Sequence, residues 1–404
     1  MPITAQQLLA SPAGRAMCIE WLRSHDPRRS DTPDAPAQPA TPLTSFLDAL
    51  HYAGTAYDVG QGITTLMLFP QPGTQGLRSA HSQYVKDAQE GGLGEVQAPA
   101  TLAALLNDIP LPDVTAPHLL SAVSQAANTM HLWGQPPRGE EKFTASPAVS
   151  GALERIADHL LRAPTARFLS QPYDPTNQWH MVPVDSETDR APRAALIARD
   201  NDIVSVLAQE ALDHREEERR SVRELARHPQ HVSSGRWWSS PSNELPATSM
   251  AVPEYGPWTL HCVEDSFGED AKEVRQVTPP TARVKEIHTA ADWAQLCALY
   301  PQDVSATMAG CWKHNTGRDG AWVTPNWLSM SQDWDAVYLT PLAYLHLTGI
   351  VIDIPDMPAS GQWASSITGW SPGLTVWFVP FASHEKTAHT WRLDDDALPG
   401  LYVP

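Results

Sequence analysis

The run Gly235-Arg236-Trp237-Trp238-Ser239-Ser240-Pro241 opens the part of this chain in which tryptophan concentrates, with twelve of the fifteen tryptophans after residue 236. Side chains of that size need a core or a ligand to cover them. The roughly 170 residues that follow are enough to enclose a core of their own. Within them Pro257–Val263, Arg283–Ile287, Asp335–Leu339 and Leu374–Val379 read as strands, because β-branched and aromatic residues dominate each. Ala290–Leu299 reads as a helix, and so does Pro325–Gln332, where proline would take the first helical position. Residues 230–404 therefore form a mixed α+β, Trp-rich domain with a small sheet.

Upstream the apolar spacing turns helical. Residues 1–25 carry Leu8, Leu9, Met17, Ile19, Trp21 and Leu22, with Ser11-Pro12 placed to end one helix and start another. Residues 26–42 hold five prolines and read as an extended linker. Residues 43–199 form a mainly helical region on the spacing of Leu102, Leu105, Leu106, Leu119, Leu120, Val123, Val149, Leu153, Ile156 and Leu160. One strand-like run, Ile63–Phe69, interrupts it, and Gly91-Gly92-Leu93-Gly94 reads as a plain loop. Residues 200–229 read as one charged helix bridging two domains, with Glu216 and Arg220 four apart in the favourable order and Pro229 as its stop. The fold class is α+β, mainly helical before the Trp-rich domain.

The net charge of −18 is shared by both halves, so neither offers the positive field that nucleic acid binding uses. The four cysteines, Cys18, Cys262, Cys297 and Cys311, follow no disulfide or zinc spacing. A basic start and a long apolar segment are both missing, which predicts a soluble, cytoplasmic protein with no membrane partner. The sequence leaves open whether the partner is a protein or a small nucleotide-like ligand, and it assigns no metal.

Candidate chemistry gathers in the C-terminal domain. Arg236 begins it beside Trp237, Trp238 and Ser239; Arg318 stands at the tip of the turn Thr316-Gly317-Arg318-Asp319-Gly320; Glu286 and Asp335 stand on later strands, with Tyr338 close by. This order resembles ADP-ribosyltransferases. The resemblance implies Arg236 as a clamp for the pyrophosphate of NAD, with Trp237, Trp238 and Tyr338 as aromatic walls. It also implies Glu286 or Asp335 as the carboxylate facing an oxocarbenium-like transition state. Those enzymes often carry a glutamate preceded two residues earlier by Gln or Glu, and the nearest match is Gln332-Asp333-Trp334-Asp335. Leu8–Leu22, Gly235–Pro241, Val263–Gly268, Thr316–Trp327 and Trp334–Thr340 are in addition similar to two-domain, Trp-rich proteins of actinobacteria, a likeness that implies a bacterial source and brings no activity with it. Two functions stay open: a protein-interaction or ligand-binding protein acting through its Trp-rich domain, and an NAD- or nucleotide-handling enzyme.

Overall fold

The computed structural model describes residues 3–29, 40–60, 99–133, 139–183, 202–228, 235–265, 271–357, 362–380, 388–394 and 398–404. The strand expected at Ile63–Phe69, the loop Gly91–Gly94 and most of the Pro-rich linker lie outside them. The chain is α+β and divides into two compact units. The first comprises Met1–Ala126, Pro137–Ala166 and Asp394–Leu401; the second comprises Ala127–Pro136, Arg167–Leu393 and Tyr402–Pro404.

The described elements of the first unit are helical. Helix α1 (Ala5–Ala10) starts from a capping box in which Thr4 accepts from the Gln7 N–H while the Gln7 side chain accepts from the Thr4 N–H. Ser11 then ends α1 and caps α2 (Pro12–Arg23), accepting from the Ala13 N–H at 3.1 Å with Pro12 at the first helical position. The expected broken helix is thus two helices sharing one capping residue. They are followed by α3 (Pro42–Gly60), α4 (Pro99–Asn107), α5 (Ala116–Asn128), α6 (Gly139–Thr144) and α7 (Pro147–Arg162). In α7 the predicted apolar row Val149, Leu153, Ile156 and Leu160 is fully buried.

The second unit is built on an eight-stranded sheet, larger than the sequence suggested, in the order β14-β13-β5-β1-β2-β12-β9-β6. Its strands are β1 (Gln178–Pro183), β2 (Ala247–Ser249), β5 (Ala271–Val277), β6 (Val284–Ile287), β9 (Ala336–Leu339), β12 (Leu374–Trp377), β13 (His389–Leu393) and β14 (Tyr402–Val403). Only the β6–β9 pairing is parallel. A second sheet has the order β10-β11-β8-β7, from Ile352–Asp353, Trp363–Ser365, Ala321–Pro325 and Pro301–Asp303 respectively. A two-stranded ribbon joins β3 (Ala251–Val252) to β4 (Gly256–Pro257). The charged helix α8 (Asp202–Arg227) forms as predicted, and it lies wholly within this unit instead of linking two.

Two elements depart from the sequence reading. Trp258–His261, expected as strand, is a helical turn (α9), and its four side chains are all buried. A stretch covered on every side shows neither alternation nor helical period, so periodicity could not separate the two. Pro325 ends β8 by pairing with Pro301, and the helix α12 (Trp327–Met330) starts only after Asn326, whose side chain accepts from the Ser329 N–H at 2.9 Å. The remaining helices are α10 (Ala290–Leu299), as predicted, α11 (Cys311–Thr316) and α13 (Pro341–Leu347).

Tryptophan supplies the core of this unit. Trp258, Trp293, Trp312, Trp322, Trp370 and Trp377 are all under 2 % exposed. Trp293, Trp327 and Trp370 form a mutually tilted trio with ring centroids 5.7 to 6.2 Å apart. Two indole donors meet internal acceptors, Trp293 the Ser365 hydroxyl at 2.9 Å and Trp377 that of Thr248 at 2.9 Å, whereas the buried indoles of Trp258 and Trp370 have no hydrogen-bond partner among the described residues. Most of the tryptophan excess is therefore packing.

Candidate functional site

The opening run of the Trp-rich region lies alongside residues 368–370. The Ser239 N–H donates to the Thr368 carbonyl at 2.8 Å and the Thr368 N–H donates back to the Ser239 hydroxyl at 3.0 Å. The Trp237 carbonyl accepts from the Trp312 indole and the Thr368 hydroxyl. Ser239 is 2 % exposed, so its hydroxyl is an internal tie. The two segments approach so closely that a Cβ at Gly369 would stand 2.2 Å from the Cβ of Trp238. Half-buried Trp237 packs against the core cluster of Val304, Met308, Cys311, Trp312, Trp322 and Ala364, and meets Trp238 edge to face.

Arg236 lies over the Trp238 ring at 4.9 Å, and its Nη1 donates to His214 Nε2 at 2.6 Å. Accepting there, His214 is neutral, with its proton on Nδ1. Burial and the neighbouring guanidinium push its pKa down to about 3. One turn earlier on α8, burial pushes the Glu210 carboxyl up to about 7. His214 and Glu210 are 6 % and 9 % exposed, and Nδ1 of the first and Oε2 of the second have no hydrogen-bond partner among the described residues. The carboxylates of Glu210, Glu217 and Asp213 all act on Arg236. The positive charge expected to clamp a pyrophosphate thus faces the acids of α8.

Behind this run sits Glu264, one of the adjacent carboxylates Glu264-Asp265 of which the sequence lets only one address a cleft, and it is buried. Glu264 accepts from the Gly369 N–H at 2.6 Å, and burial pushes its carboxyl up to about 8. Its Oε2 and the adjacent Tyr344 hydroxyl are buried without a well-formed hydrogen bond.

The remaining expected residues occupy separate places. Arg318 donates to the Ala321 and Gln362 carbonyls and lies over the Trp322 ring at 4.6 Å, bracing its own turn. Tyr338 is fully buried, with its hydroxyl donating to the Gln171 carbonyl at 3.2 Å. Glu286 faces Tyr338 in register and accepts from the Tyr173 N–H and from His288 Nε2, both at 2.9 Å. Asp335 accepts from the Arg283 N–H at 2.7 Å and from its guanidinium, which holds the Asp335 carboxyl below its ordinary value. Register places Asp335 beside Arg283 and Glu286 three residues further along. That is about 10 Å of strand and an odd number of residues, so the two carboxylates address opposite faces of the sheet.

Two open grooves are lined by other residues. In the first unit about 630 Å³ is lined by Leu111, Val114, Arg155, Asp158, His159 and Arg162. Four of its polar side chains are engaged, Arg155 with the Leu106 and Ile109 carbonyls, His159 with that of Pro112, and Arg162 with Asp158, while Asp113, also in its lining, is exposed. In the second unit about 570 Å³ lies between α10 and β10, with Ala290, Ala294, Ile350, Val351 and Pro355 as apolar lining. Of its carboxylates, Asp292 is used in the α10 capping box, whereas Asp353 and Asp356 are exposed and unpaired among the described residues.

Strand β10 ends its sheet. The Ile354 N–H donates to the Trp363 carbonyl at 2.9 Å, so in an antiparallel ladder Ile352 also faces β11 while the N–H and carbonyl of Asp353 point to the open edge. No helix of the described residues is long and apolar enough to cross a membrane. No family model matches the chain, and neither a curated protein nor a solved structure is similar to it.

Proposed function

We propose that this is a protein-interaction protein whose Trp-rich unit binds an extended segment of a partner. The observation that carries this reading is the outer edge of β10, which presents unpaired backbone groups beside an apolar groove carrying Asp353 and Asp356. An added strand supplies main-chain hydrogen bonds, and alternate side chains fill the groove. Two carboxylates on an acidic chain select lysine or arginine in the incoming segment and repel a second copy of the same edge. Panning a random peptide library against the full-length protein is expected to enrich sequences alternating apolar residues with Lys or Arg. The enrichment should vanish for an Asp353→Lys/Asp356→Lys variant. Equal enrichment on both proteins would remove this groove from consideration.

The nucleotide-handling reading draws support from one contact, Arg236 stacked on Trp238. Its carboxylates have other partners, and three acids already act on the guanidinium. A ligand at a hundred times its dissociation constant adds about 2.7 kcal/mol to stability. Thermal-shift measurements with millimolar NAD or ADP-ribose are expected to leave Tm unchanged. Arg236→Ala should lower Tm with or without nucleotide, by removing the cation from its acidic neighbours. A nucleotide-induced rise that disappears in Arg236→Ala would instead favour the enzyme.

A further inference from the structure

We infer that the outer face of α8 is a docking surface for an acidic helix of a partner protein. Arg215, Arg219, Arg223 and Arg227 recur at four-residue spacing and all four are exposed. They form one stripe about 18 Å long. None of them makes an ion pair or side-chain hydrogen bond among the described residues, whereas the adjacent Arg220 is paired with Glu217.

This stripe is costly to the helix that bears it. Like charges four apart destabilise a helix, and three such pairs follow in succession. Only Arg227 lies in the last turn, where the helix dipole favours a cation. Glu216 and Glu224 stand on the neighbouring row, three residues before Arg219 and Arg227, a spacing that offsets part of this cost, but neither forms an ion pair with the stripe among the described residues. An anion from outside the chain relieves the repulsion.

The chemistry of that anion follows from the side chains. The cations of α8 are all arginine, whose planar fork takes a carboxylate in two parallel hydrogen bonds. Beside the stripe, Leu212 and Val222 are 49 % and 53 % exposed. Apolar positions flanking a charged row fit a helix carrying Asp or Glu every fourth residue with aliphatic residues between. A phosphate backbone has no use for Leu212 and Val222, whereas an amphipathic acidic helix covers them.

The test uses the full-length protein and a labelled synthetic helix with glutamate at every fourth position and leucine beside it. Binding is expected by fluorescence anisotropy, weakening steeply with added salt and falling at least tenfold when the same residues are scrambled. Arg219→Glu/Arg223→Glu should reduce it at least tenfold while leaving Tm unchanged or raised, because two of the three like-charge pairs become opposite ones and the third only changes sign, from Arg–Arg to Glu–Glu. Equal affinity for the scrambled peptide or for the variant would overturn the inference. So would a drop in Tm that accounts for the lost binding, or tighter binding to duplex DNA or phosphatidylserine vesicles than to the helix.

Discussion

Gly369→Ala is expected to destabilise the Trp-rich unit by on the order of 3 kcal/mol or more, the largest effect of any single methyl group described above. Two costs add. The backbone at Gly369 has φ +68°, a left-handed conformation that an L residue adopts at a penalty. The new Cβ would also stand 2.2 Å from the Trp238 Cβ and 2.9 Å from its Cα. No rotamer relieves a clash with backbone, so the two segments must separate. Separation stretches the paired hydrogen bonds between Ser239 and Thr368 and the bond from the Gly369 N–H to Glu264. Guanidinium unfolding of wild type and variant measures the difference; a loss below about 1 kcal/mol would mean that the close approach is easily relaxed.

Glu264 gives the second large effect, through pH. Its carboxyl is held near 8, chiefly by burial, against an ordinary value of 4.5. The unfolded chain releases this proton near pH 4.5 and the folded chain keeps it to about pH 8. The stabilisation is therefore complete below pH 4.5 and is lost as pH rises through that window. At about 1.4 kcal/mol per unit the loss is on the order of 4 kcal/mol, and Glu210, raised to about 7, adds in the same direction. Glu264→Gln keeps a neutral side chain of the same shape and an oxygen for the Gly369 N–H. It should match wild type near pH 4.5 and exceed it by on the order of 4 kcal/mol at pH 8. Parallel stability curves for the two proteins between pH 4.5 and 8 would show that Glu264 is ionised in the fold.

Much of the secondary structure was legible because its signals are local. Ser11-Pro12 marks a helix boundary by capping chemistry alone, and Asp202–Arg227, Ala290–Leu299, Val284–Ile287, Ala336–Leu339 and Leu374–Trp377 all carry a clear period or β-branched composition. Strand β1 and the width of the sheet were not legible, because the pairing of Gln178–Pro183 with Ala271–Val277 spans some 90 residues and leaves no local trace. The buried acids were hidden for another reason. Glu210 and His214 sit four apart on a helix rich in exposed charge, and only their row with Ile203, Leu207 and Ala211, all buried, separates them from the solvated Glu216. Glu264 sits in a short loop, where a carboxylate ordinarily faces water. For the candidate site, Arg236, Trp237 and Trp238 are consecutive and their side chains stay in contact, while the strand register that parts Glu286 from Asp335 lay beyond the sequence.

The uneven placement of indole rings also gives the molecule a built-in optical label. The first unit contains a single tryptophan, the buried Trp21, and the other fourteen belong to the second. Intrinsic emission therefore follows the second unit almost exclusively, whereas the far-ultraviolet helical signal draws on both. If the units melt in separate steps, the two spectroscopic curves will part company, and the order in which they do so reads out which unit gives way first, with no label attached.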